Sequence, residues 1–168
     1  MHDLISDFRA TVESAAERMR GMDEGESRKR RAPGAWSRKQ IVGHLVDSAA
    51  NNHARFVRAQ LEPEHLDFPG YEQDGWVAAQ RYEAEPWAQL VELWRLYNLH
   101  IAHVMSGASA EVLGRRRARH SLDRIAWQLV PRDEPATLEY FMRDYVGHLH
   151  HHLAQVYERT GVATSASS

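Results

Sequence analysis

In the stretch DYVGHLHHHLAQVY, residues 144–157, positions 148, 150, 151 and 152 are histidine. A neutral imidazole can ligate a metal or carry a proton near neutral pH, so spacing decides which of the four could act together. On a helical wheel Leu138, Phe141, Leu149 and Val156 fall within about 40° of Tyr145 and define the stripe a helix here would bury. His148 and His152 lie about 60° and 20° from Tyr145. Spaced i, i+4, they would stand one turn apart on one face, as in helical metal sites. The same spacing suits two hydrogen-bonded core histidines, and both readings stay open on this pattern. His150 and His151 fall well away from the stripe and are expected on the surface. The interleaved apolar residues, with further chain to follow, exclude a purification tag.

A second polar stripe lies in WSRKQIVGHLVDSAANNHARFVRA, residues 36–59. Ser48, Asn51 and Arg55 fall within about 40° of His44, while Ile41, Leu45, Asn52, Phe56 and Ala59 form a face centred about 90° away. The stripe is either an ordinary solvated flank or a polar wall. If this helix neighbours the last one, His44 can complete a three-imidazole set with a position left open, as catalytic metal sites require. Asp47 and Asp144 sit about one turn from His44 and His148, placed either to orient an imidazole through its other nitrogen or to face solvent. Asn51 and Arg55 are candidates for holding a carboxylate or sugar hydroxyl of a ligand, against a plain surface ion pair or hydrogen bond. Tyr71, Gln73 and Trp76 could cover such a site as a lid or simply pack the end of the fold.

The elements that must position these residues are helical, because apolar residues recur at helical spacing in four places and alternating strand patterns are absent. A first helix is expected over about 3–20, with Leu4, Ile5, Phe8, Val12, Ala15 and Met19 on one stripe and Gly21 as its stop. EGESRKRRAPGA reads as a linker. Ser37 and Gln40 form a capping box that opens the second helix, Trp36 is placed to staple onto Ile41, and Pro63 discourages continuation past about 61. The connection that follows holds one short helix near Gln73 to Tyr82. Pro86 opens the third long helix, with Trp87, Leu90, Trp94, Ile101 and Met105 inside and Gly107 at its end. Residues 108–136 carry little signal. Pro135 and Thr137 precede the last helix, about 137–160, stopped by Gly161 and followed by a disordered tail at 162–168. The expectation is an all-α, single-domain four-helix bundle over 1–161, not a simple up-down series, with one short extra helix between its second and third long helices.

The 168 residues suffice for one apolar core, and the formal net charge of -2 gives no pull toward nucleic acid. Two basic runs, RKRR at 28–31 and RRRAR at 115–119, read as solvated connections or contacts with acidic groups. No cysteine is present, which excludes disulfides, thiolate ligands and a cysteine nucleophile, so any metal must be held by histidine, carboxylate or water. The charged, amphipathic start does not read as a signal peptide and no run reaches membrane-spanning length; a cytoplasmic protein without membrane contact is expected.

Residues 36–59, with the final-helix H-x-x-x-H, resemble the DinB-like superfamily, and the resemblance extends from Trp36 to Tyr157. It implies a four-helix bundle, a divalent metal, commonly zinc or nickel, on His44, His148 and His152, and a homodimer. That superfamily includes bacillithiol S-transferases and mycothiol-dependent isomerases. It therefore implies a metal-dependent transferase whose low-molecular-weight thiol, activated as a thiolate, attacks an electrophilic small molecule; the protein would do thiol chemistry without a cysteine of its own. Alternatives are a metal-dependent hydrolase using metal-activated water, with Asp47 as its general base, and a non-catalytic, metal- or ligand-binding stress-response homodimer.

Overall fold

A computed structural model describes residues 1–62 and 64–158. Among these, four long helices are α1 (His2–Arg20), α3 (Arg38–Leu61), α5 (Trp87–Ser106) and α8 (Leu138–Tyr157). Four short ones are α2 (Glu24–Ser27), α4 (Gln73–Gln80), α6 (Ala110–Gly114) and α7 (Leu122–Ile125), with a 3-10 turn at Tyr82–Ala84. The expected all-α bundle is what forms, and the expected short helix is α4.

The long helices form where apolar spacing and caps coincide. Ser37 Oγ accepts the Gln40 backbone N–H at 3.1 Å while the Gln40 side chain accepts the Ser37 N–H at 3.0 Å, closing the expected capping box. Thr137 caps α8 by accepting the Tyr140 N–H. α1 and α5 do stop before Gly21 and Gly107, but both glycines keep right-handed helical dihedrals, so their freedom at positive φ is not used.

Three expectations need correction. The linker after α1 contains α2, which forms because Asp23 caps it through the Glu26 N–H. Residues 108–136, where periodicity is too short to register, hold α6 and α7. α8 ends at Tyr157 rather than near 160, since Glu158 turns to extended dihedrals. Pro63, Gly161 and the tail at 162–168 lie outside the described residues.

α5 packs against both α1 and α3, and α8 packs against α3 and, less extensively, α1. The order around the bundle is therefore α1, α5, α3, α8, which makes α1 diagonal to α3 and departs from an up-down series. Phe8, Phe56, Phe141 and Tyr145 meet edge to face in the core, with ring centres 5.5 to 6.0 Å apart. Tyr145 OH donates to Asn98 Oδ1 at 2.5 Å, joining α8 to α5 across the core.

The long connections before α4 and before α8 are fastened to each other. Leu66 exchanges backbone hydrogen bonds with Arg119 and Ser121, and Arg117 does so with Ala136. This brings the Tyr71 loop and the Trp127 loop to one cavity. The basic runs meet acids of their own chain: Arg28 pairs with Glu24, Arg30 with Glu83, Arg31 with Glu158, Arg115 with Glu64 and Glu111, and Arg119 with Asp67. Among the described residues no helix is long and apolar enough to cross a membrane.

Removing the α3 cap tests this account. Ser37→Ala should lower the urea midpoint by an amount worth about 1–2 kcal/mol with no change in slope. A midpoint unchanged from the native protein would show that tertiary packing alone sets the start of α3.

Candidate metal centre

The three expected histidines converge. α3 supplies His44, fully buried, and α8 supplies His148 and His152, both half-buried. Ring centres are 5.3 Å apart for His44 and His148, 4.8 Å for His44 and His152, and 4.5 Å for His148 and His152. One nitrogen from each ring lies within 4.8 Å of the other two. Two nitrogens about 2.0–2.1 Å from a tetrahedral ion stand about 3.3 Å apart. His44 Nε2 and His148 Nε2 are separated by 3.4 Å, so this pair already has the spacing of such a site. The donor set fits a divalent ion that accepts nitrogen ligands.

Burial decides the charge state of the rings. Loss of solvation, with His152 nearby, pushes His44 down to about 3. Burial and the neighbouring imidazoles push His148 down to about 3 as well, and burial lowers His152 although its bond to Gln155 opposes the shift. All three are therefore neutral near pH 7, the form that ligates. A neighbour also sets the tautomer of His152. Gln155 Oε1, an acceptor, lies 2.9 Å from His152 Nδ1, so Nδ1 carries the proton and Nε2 the lone pair. The same amide donates to His151 Nε2 at 3.0 Å. Ser48 Oγ lies 3.4 Å from His148 Nδ1.

Asp47 and Asp144 are buried rather than on the surface, and neither bonds to a cluster imidazole among the described residues. Asp47 Oδ1 accepts from Tyr82 OH at 2.6 Å and also from Gln80. Burial raises its pKa, against the Tyr82 hydrogen bond. Its Oδ2 and the Nδ1 of His44 are buried without hydrogen-bond partners. Tyr82 reaches Asp47 because its ring lies on α3 at Gly43, where a Cβ would come within 2.1 Å of it. Asp144 receives the backbone N–H groups of Trp127 at 2.9 Å and Gln128 at 2.7 Å, and so anchors that loop.

A cavity of about 340 Å³ opens beside the imidazoles, with Ser48, Arg55, Tyr71, Trp127, His148 and His152 in its wall. Gln73 also lines it, from the start of α4. Asn51 does not; it bonds back to the Asp47 carbonyl. Tyr71 stacks 6.5 Å from His44, and Trp76, partly exposed, packs on Tyr71 at 5.0 Å. Burial and then Asp47 push the Tyr71 hydroxyl up to about 12, which keeps it protonated. Trp36 packs against His44 with ring centres 5.0 Å apart. Three participants had no usable signal in the sequence. Gln155 lies three residues after His152, the Trp127 loop carries no periodicity, and His151, exposed as the wheel predicts, nonetheless reaches the cavity rim.

The fold and cluster define a helical bundle with a three-imidazole centre beside a cavity. The DinB superfamily model matches residues 7–156, and the chain belongs to that superfamily. No curated protein matches it. In three dimensions it is similar to YfiT from Bacillus subtilis, described as a probable metal-dependent hydrolase with an unusual four-helix bundle topology. The two share 19% identity over 93% of this chain and 85% of that one, with a TM-score of 0.70, a likeness of fold.

The neutral imidazoles predict a pH dependence. Unfolded, His44 and His148 titrate near 6.5; folded, they resist protonation down to about 3. Over that window the unfolded state binds more protons, so stability falls as pH drops below 6.5, by up to about 1.4 kcal/mol per unit for each ring. Urea midpoints of metal-free protein should decline between about pH 7.5 and 5, above the ordinary carboxylate range, and His44→Gln should flatten that decline. A slope equal in native and variant would contradict neutral burial of His44.

Proposed function

We propose that the protein is a divalent-metal-dependent enzyme that adds a low-molecular-weight thiol to an electrophilic small molecule. The observation that carries this reading is the convergence of three neutral imidazoles, two of which, His148 and His152, stand in the wall of a cavity large enough for a small ligand. His44, His148 and His152 would hold the ion, with zinc and nickel the divalent metals that suit such a set. A bound ion would supply Lewis acidity there and lower the pKa of a thiol beside it. The chain's own residues supply orientation. Gln155 fixes the His152 tautomer, Trp36 packs against the His44 ring, and Asp144 holds the Trp127 loop in the cavity wall. The thiol proton leaves to solvent, sulfur forms the new bond to carbon, and the leaving group departs with the electron pair.

The acids in the site favour thiol over water as nucleophile. Activating water calls for a general base at the open face. Among the described residues Asp144 is the acid of the cavity wall, and both its oxygens already hold backbone N–H groups. Asp47 is buried away from that wall. The second reading, hydrolysis, is favoured by the structural likeness to YfiT, and would need Asp47 or His151 to turn toward the cavity.

The first test is metal content by mass spectrometry on untagged protein. Native protein should hold about one equivalent of zinc or nickel after reconstitution; His44→Ala and His148→Ala should hold almost none, and Gln155→Leu should bind about 10–100-fold more weakly. Substoichiometric metal insensitive to both histidine changes would refute the centre. With the loaded protein, turnover of an electrophilic halide that requires an added thiol would support transfer, while turnover of an ester without thiol would support hydrolysis.

A further inference from the structure

The cavity has a second polar feature at a distance from the imidazoles. Arg55 is 6% exposed, lines the cavity and has no carboxylate within ion-pairing distance among the described residues. Its two guanidinium contacts are neutral: it donates to the Pro69 carbonyl at 2.7 Å and to Asn52 Oδ1 at 3.4 Å. A guanidinium has five N–H groups, so three remain. Burying a cation without a counter-charge is costly, and charged groups inside proteins are ordinarily paired.

The other charges facing the cavity do not compensate it. Asp144 is committed to two backbone N–H groups, while Arg124 adds a second cation at the rim, with Asp67 and Asp123 each 3.8 Å from it. The three imidazoles are neutral. The wall that Arg55 shares with His148 and His152 combines the polar Ser48 and Asn52 of α3 with the rings of Phe141 and Tyr145 and with Ile125. Ser48, which touches His148, and Arg55 are two helical turns apart on α3, about 10 Å along its axis.

We propose that the substrate carries a carboxylate, which Arg55 binds in the cavity about two helical turns along α3 from the Ser48 level, with the group that reacts lying beside His148. A carboxylate matches one unpaired guanidinium in charge and can accept two parallel N–H bonds from its planar fork. This extends the functional reading above by naming the substrate class, and it rests on that reading for the identity of the reacting end. Arg55 touches the substrate as a specificity residue, remote from the bond that changes.

The test compares 4-phenylbutyrate with 4-phenylbutanol, which share shape but differ in charge, by calorimetric titration of the full chain with and without zinc. The carboxylate should bind native protein at least about tenfold more tightly in both states, and Arg55→Met should abolish that preference while leaving the alcohol's affinity and the metal content unchanged. Arg55→Lys should restore part of it, because charge returns without the fork. Equal binding of the two probes by native protein would overturn the proposal, and that comparison needs no variant to fold. A preference that exists only with zinc would overturn it too, by placing the carboxylate on the metal. Absence of metal binding altogether would defeat the reading of the centre but leave the metal-free comparison intact.

Discussion

α3 is enclosed on most of its surface, and its buried side chains include Arg38, Lys39, His44, Asp47, Ser48, Asn52 and Arg55. A helix wrapped in this way normally carries apolar residues all round, because each polar group removed from water must find a partner inside. Here the partners come from different elements. Arg38 donates to the Val156 and Glu158 carbonyls at the end of α8 and pairs with Glu26 of α2. Lys39 pairs with Glu24, Asp47 takes the hydroxyl of Tyr82, and Arg55 takes the Pro69 carbonyl. Each contact is obligatory once the helix is buried, and together they fix α8 and the connections relative to α3. The cation of Arg38 on the last carbonyls of α8 also complements the negative end of that helix, one turn from His152.

The histidines follow from the same enclosure. Three imidazoles brought this close would repel one another if protonated, and burial removes that cost by keeping them neutral. Neutral rings in contact still need defined tautomers, and here the second nitrogen is managed unevenly. Gln155 satisfies His152, Ser48 lies beside His148, and among the described residues His44 Nδ1 has no hydrogen-bond partner.

The four long helices were legible because each carries a sustained apolar stripe and at least one chemical end signal, such as Ser37 with Gln40 or Thr137. The histidine triad was legible for a related reason: His148 and His152 are fixed by helix geometry, and His44 needed only the pairing of α3 with α8. What escaped is whatever depends on contacts between distant parts of the chain. α6 and α7 are too short to show a period. Asp47 and Asp144 were one turn from the right histidines, yet their carboxylates are taken by Tyr82 and by the Trp127 loop, partners no spacing rule connects to them. Arg55 sat on the correct stripe, but that it is buried and lacks a carboxylate is a property of the assembled cavity, and the wheel alone could not distinguish it from a solvated surface arginine.

The character of the donor set bears on what the centre can do. Neutral histidine ligands leave the full charge of a divalent ion uncompensated, whereas carboxylate ligands would cancel part of it. In this chain the nearest buried carboxylates turn elsewhere, and the cavity's remaining fixed charges, Arg55 and Arg124, are positive. A site assembled this way, once loaded, would favour anions at the metal, and the two arginines would favour them in the cavity beside it. On the proposed reading it would favour a thiolate over a thiol and an anionic substrate in the same cavity, without asking any side chain of the protein to act as nucleophile. On that reading the absence of cysteine is no obstacle to sulfur chemistry, because the protein's part would be to hold charge in place while the reactive sulfur arrived with the ligand.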